Sequence, residues 1–178
     1  MLEKMTFFSF KKKSIQRFFE KELTRQSTLV KSIPVSKIKK VAVLIEEASH
    51  DQNQIVPKIE EMYGIRGADV HVFVCCTHLK NRVYKANEFS EKSFGWLGSL
   101  KLNSLQEFVK IEYDLFINYG IAENLYMKVI TLSSQSHFKI GFSSEDNRMY
   151  DLSIADSEKR IDTLNEEAVK YLKILKKL

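Results

Sequence analysis

The stretch Val41-Ala42-Val43-Leu44-Ile45 decides the fold. Alternating apolar and polar residues would mean a strand with one wet face. A short continuous run fits a strand covered on both sides, as in a parallel sheet. After it, Ile55, Ile59 and Met62 fall on one face of a helix with Gly64 as its C-terminal stop, so Pro57 must sit in the first turn or kink the helix. A second strand over 69–75 is built on Val70, Val72, Phe73 and Val74. Residues 77–93 are polar and poorly periodic. Beyond them, 93–98 reads as a strand end and turn, 104–111 as a short helix, 113–119 as a strand, 123–133 as a helix, and 138–142 and 149–154 as two more strands. Asp156 or Ser157 caps a closing helix over 158–178. Its apolar residues, spaced by threes and fours, suit a helix lying on the sheet, with a coiled-coil seam as the sharper alternative. Strands alternating with helices predict an α/β domain: a three-layer Rossmann-like or flavodoxin-like sandwich around a mostly parallel sheet.

Upstream, Ile15, Phe18, Phe19 and Leu23 recur at i, i+3, i+4 and i+8, predicting an amphipathic helix over 13–28. Pro34 ends any helix before it. Residues 1–37 therefore read as a basic helical arm with its connector, and 38–178 as the α/β domain. The charge supports this division. The 178 residues carry 28 Lys and Arg against 23 Asp and Glu, a net +5. Residues 1–40 hold eleven Lys or Arg and three acids, +8, leaving 17 basic and 20 acidic residues, −3, in the remainder.

The same composition excludes several classes. At 44% hydrophobic residues with six Gly and two Pro, the chain is neither disordered nor collagen-like. Its longest runs free of Asp, Glu, Lys and Arg are ten residues, 70–79 and 129–138, whereas a spanning helix needs roughly 20. Phe7-Phe8-Ser9-Phe10 precedes Lys11-Lys12-Lys13, the reverse of an export signal. Cys75 and Cys76 are adjacent and make no disulfide framework, so a reducing cytoplasm is expected, with peripheral placement at the inner membrane face open.

In open parallel sheets ligands bind beyond the carboxyl ends of the strands. That rule selects Glu46 and Glu47 after the first strand, Thr77 and His78 after the second, Asn118 and Tyr119 after the central one, and Ser143 and Ser144 after the next. Glu46, Glu47, His78, Asn118 and Tyr119 form the candidate ligand crest. Paired acids there would suit a cation or general-base chemistry, or else be solvated acids at a strand end. No G-x-G-x-x-G or G-x-x-x-x-G-K-[ST] occurs, so no nucleotide cofactor is expected. Gly64-Ile65-Arg66-Gly67 reads as a turn. In Gly95-Trp96-Leu97-Gly98 the indole is expected to pack into the core, with a ligand wall as the alternative. Cys75, Cys76 and His78 lack the spacing of a zinc site, His50, His71 and His137 stand alone, and no metal is expected.

The arm carries the strongest functional signal. Lys11, Lys12, Lys13, Arg17, Lys21 and Arg25 are interleaved with Phe7, Phe8, Phe10, Phe18 and Phe19. This pattern suits an anionic membrane surface, nucleic acid or the ribosome, or an acidic protein. The alternative is a Phe stripe packed on the protein's own body with the lysines in water.

Val41-Ala42-Val43-Leu44-Ile45-Glu46-Glu47, Phe94-Gly95-Trp96-Leu97-Gly98, Asp114-Leu115-Phe116-Ile117-Asn118-Tyr119 and Phe138-Lys139-Ile140-Gly141-Phe142 together resemble the landmarks of a bacterial domain-of-unknown-function family. That resemblance covers most of the chain, implies a Rossmann-like domain and supplies no activity. The family is expected to carry Asp where this chain has Glu46. Tyr113 to Asn118, with the following helix and Lys139-Ile140-Gly141-Phe142, is also similar to some 30 residues in the acceptor half of heptosyltransferase-type glycosyltransferases. Those enzymes need a second lobe, for which 178 residues leave no room, so this likeness bears on the fold and not on the reaction. The leading expectation is a non-enzymatic binding or scaffold module whose protruding basic helix meets an anionic partner. The alternative is a small enzyme acting on a phosphorylated or sugar-like metabolite at the crest.

Overall fold

The computed structural model describes residues 2–28, 37–47, 52–120, 124–143 and 146–178, with side chains in the first helix from Ser9 onward. The connector residues 29–36 with Pro34, together with His50, Glu123 and Ser144, lie outside the described residues.

The elements run α1 (Leu2–Ser27), β1 (Val41–Glu46), α2 (Gln52–Tyr63), β2 (Val70–Cys75), β3 (Glu88–Phe89), α3 (Asn103–Lys110), β4 (Leu115–Asn118), α4 (Leu125–Ser133), β5 (Lys139–Phe142), β6 (Leu152–Ile154) and α5 (Ile161–Ile174). All six strands join one parallel sheet in the order β3-β2-β1-β4-β5-β6. This order belongs to Rossmann-type sheets and not to flavodoxin-like ones. β1 lies at the centre, with Val41 opposite Val70 on one side and Leu115 on the other.

The continuous apolar run is explained by two cores. Val41, Val43 and Ile45 point into one layer with Ile55 and Ile59 of α2 and Leu164, Ala168 and Leu172 of α5. Ala42 and Leu44 point into the other, with Leu105 and Phe108 of α3 and Met127 and Val129 of α4. All five strand residues are fully buried. α5 thus lies on the sheet. Its N-cap position is Arg160, which makes no side-chain cap, and Asp156 instead closes the preceding turn by accepting from the Glu158 and Arg160 amides. Pro57 falls beyond the first turn of α2, and Gly64 ends that helix with φ +64°. Gly141 is required by a close approach, since a Cβ there would run into the Tyr150 ring.

Three expectations are corrected. The basic helix does not protrude. Ile15, Phe19 and Leu23 are buried in the second core, so α1 is a member of that helical layer. Gln26 Nε2 donates to the Leu132 carbonyl at 3.2 Å, and Gly98 lies so close to α1 that a Cβ would meet the Phe18 ring at 2.5 Å. Trp96 does not enter the core; it stands exposed at the tip of a turn closed by the Phe94–Leu100 bridge. The polar stretch 77–93 contains a strand, β3, whose two residues are too few to register as a period.

Candidate functional site

The crest sits where the first strands stop. The β1–β2 ladder ends with Glu46 opposite Cys75, and the Glu47 amide still donates to the Cys75 carbonyl at 3.1 Å. Glu46 and Glu47 thereby emerge over the sheet edge beside Thr77 and His78. α4 closes the other side. Its first turn is fixed by Asn124, whose Oδ1 accepts from the Tyr126 and Met127 amides at 3.0 and 3.4 Å, while its Nδ2 donates to Cys75 Sγ at 3.4 Å. Lys12 reaches in from α1, and Glu91 from the turn after β3. Together they enclose a cleft of about 480 Å³.

Two crest residues are already engaged. Arg82 Nη1 lies 2.6 Å from Glu47, and Nη2 donates to Glu88 at 3.0 Å. The His78 ring is 3.2 Å from the Tyr84 hydroxyl, and the Arg82 guanidinium lies 5.2 Å from the Tyr84 ring centre. The segment between β2 and β3 is thus clasped to the crest. Burial pushes the Glu88 carboxyl up, but the Lys85 amide and Arg82 outweigh it and leave its pKa lowered.

The electrostatics limit the chemistry. Burial pushes the Cys75 thiol up to about 12; for Cys76, burial first and Glu47 next push it up to about 11. Neither is a thiolate at neutral pH, so neither is an activated nucleophile. Among the described residues, no three His, Cys, Asp or Glu side chains are grouped as a metal ion would require.

Asn118 and Tyr119 do not join Glu46, Glu47 and His78. Asn118 is buried. Its Nδ2 donates to Thr131 and Tyr150 at 3.1 and 2.9 Å, and its Oδ1 accepts from the Gly120 amide at 2.8 Å. Tyr119 points to the opposite layer, fully buried, and donates to Asn165 Oδ1 at 2.5 Å. Both are structural. Arg82, Tyr84, Glu91, Asn124 and Tyr126 belong around the crest and carry no spacing signal, because the crossovers of the fold bring them there.

The basic residues of α1 divide by environment. Lys12, Lys13, Arg17, Lys21 and Arg25 are exposed and Lys11 is half-buried. Arg25 is tied to Glu22. Lys11 Nζ donates to the Glu91 carbonyl at 3.5 Å. Burial and nearby Lys101 lower its pKa against the pull of the Glu91 carboxylate. Lys12, Lys13, Arg17 and Lys21 make no ion pair among the described residues. No described helix is long and apolar enough to cross a membrane.

Residues 11–175 match a family of unknown function, DUF6913, and the chain belongs to it. No curated protein and no solved structure matches the chain.

Proposed function

We propose that this member of the family is a non-enzymatic cytoplasmic binding module that docks on an anionic surface through the outer face of α1. One observation carries the reading. Burial of Ile15, Phe19 and Leu23 fixes the helix, so Lys13, Arg17 and Lys21 stand as a rigid exposed row at four-residue spacing. A fixed row loses less conformational freedom on binding than a loose arm does. The reading is tested on heparin resin with the full chain. Lys13→Gln, Arg17→Gln and Lys21→Gln together should elute at clearly lower salt. Lys80→Gln, Lys85→Gln and Lys110→Gln, which change the net charge equally at exposed sites, should elute near the parent chain. Equal shifts in the two triple variants would count against a dedicated surface.

The cleft supports a second reading, a small-molecule site at the crest. With Glu47 paired to Arg82, Glu46 and Glu91 outnumber the one lining cation, Lys12, which favours a hydroxyl-rich, sugar-like ligand over a phosphorylated one. Thermal stabilisation by neutral sugars but not by their phosphates, lost in Glu46→Gln, is the result this reading requires.

A further inference from the structure

The row Lys13, Arg17 and Lys21 continues to an exposed aromatic side chain, Phe10, one turn earlier on the same stripe. Phe10, Lys13, Ser14, Arg17 and Trp96 line one shallow hollow. Beside it the turn after β3 presents Trp96 and Leu97 outward. Phe10 is 59% exposed, Trp96 47% and Leu97 65%, three large exposed apolar side chains on the α1 side of the domain. Contiguous apolar exposure of this kind marks an interaction surface.

The tip is held in shape. Leu97 has φ +53° and ψ +33°, a left-handed conformation that leucine rarely adopts. The turn is closed by the Gly95 amide donating to the Ser99 carbonyl at 2.6 Å and by the Ser99 amide donating to that of Trp96 at 3.1 Å. Ser14 of α1 accepts from the Leu97 amide at 3.0 Å, and Gly98 packs against Phe18. Cations surround the tip. Lys13 and Arg17 are on the helix, Lys92 and Lys101 flank the turn, all four exposed, and Lys92 and Lys101 are close enough to Lys11 to help lower its pKa.

We propose that this face docks on an anionic lipid surface, with Trp96, Leu97 and Phe10 entering the interface and the surrounding Lys and Arg meeting the headgroups. The proposal rests on the anionic-surface reading of α1 and names its partner. An indole prefers the headgroup boundary, and a leucine gains free energy in hydrocarbon, while basic residues beside them are drawn to anionic lipid. A nucleic-acid surface would use the cations and stack on the rings, but it offers nothing to Leu97. A second copy of the chain would bring the same cations against these.

Trp96 is the sole tryptophan, so the full chain reports on its own tip. The probe is vesicles of phosphatidylcholine alone or with about one-third phosphatidylglycerol, with a short single-stranded RNA in parallel; the readouts are flotation and Trp96 emission. The parent chain should float with the anionic vesicles only, its emission moving to the blue and becoming shielded from iodide. Phe10→Ser with Leu97→Asn should lower partitioning roughly tenfold or more. Asparagine tolerates the left-handed position, and an unchanged melting temperature verifies that this variant folds. Flotation without a blue shift, or without loss in the apolar variant, overturns insertion and leaves the anionic-surface reading standing. Binding to RNA and not to vesicles overturns the lipid partner in the same way. Binding to neither, with no shift on heparin, removes both.

Discussion

Truncating Leu23 to alanine tests whether α1 is a layer of the domain or an appendage to it. Leu23 is buried in the core shared with β1, α3 and α4. Leu→Ala removes three carbons, worth about 2.4 kcal/mol at roughly 0.8 kcal/mol each. The cavity left among rigid neighbours raises the total to about 3–4 kcal/mol. For 178 residues an unfolding entropy of roughly 2.1 cal/mol/K per residue gives about 0.37 kcal/mol/K, so a 3 kcal/mol loss lowers Tm by about 8 °C. Lys21→Ala, exposed on the same helix, should stay within about 0.5 kcal/mol. Urea melts followed by far-UV circular dichroism measure both changes. Trp96 emission provides a second probe, because the turn that carries it is bonded to α1 through Ser14 and Leu97. The two probes should give one coincident transition with an unchanged slope. A Leu23→Ala loss no larger than that of Lys21→Ala would refute the packing. So would a Trp96 transition that precedes the loss of secondary structure.

Asp156 links stability to acid. Its pKa is held down to about 2, chiefly by hydrogen bonding to Arg160, against about 3.9 unfolded. Between those values the unfolded chain binds more protons, so the stabilisation is present above about pH 4 and is lost as pH falls towards 2. Asp156→Asn should therefore lower the urea midpoint at neutral pH, with the gap closing on acidification; an equal gap at about pH 2 contradicts this. The cysteines provide a kinetic check. With thiols at about 12 and 11, iodoacetamide at pH 8 should label the native chain on the order of 10²–10³ times more slowly than the unfolded chain. Mass spectrometry reads the difference, and native labelling within tenfold of the unfolded rate would reopen Cys75 or Cys76 as a nucleophile.

The parallel sheet was legible because burial on both faces leaves an unbroken apolar run, Val41–Ile45 in β1, Val72–Cys75 in β2 and Leu115–Ile117 in β4. β3 was not, since its position depends on Cys76 bonding the Phe89 carbonyl and on Glu88 reaching Arg82, contacts without a local signature. The strand-end rule pointed to Glu46, Glu47 and His78, which line one cleft. It failed at Asn118 and Tyr119 because consecutive strand residues face opposite layers. One side chain is covered by α4 and Tyr150, the other by α5. Sequence gave the stripe on α1 but not its partners, which lie 80 to 110 residues away at Gly98 and Leu132. The Gly-Trp-Leu-Gly turn read inward because its residues are apolar; the left-handed Leu97 turns them outward.

Integration of α1 also changes how the two candidate surfaces must be separated. The basic helix and the crest read as independent features along the chain, yet Lys12 lines the crest cleft while Lys13, its neighbour, lines the hollow beside Trp96. Removing the helix would therefore erase both surfaces and open a core, and its outcome would discriminate nothing. Point substitutions do discriminate. Lys13, Arg17 and Leu97 lie off the cleft and report on docking alone, whereas Glu46 reports on the cleft alone. Lys12 lines the cleft from the helix that carries the docking row, so it must stay intact in every variant used to tell the two surfaces apart.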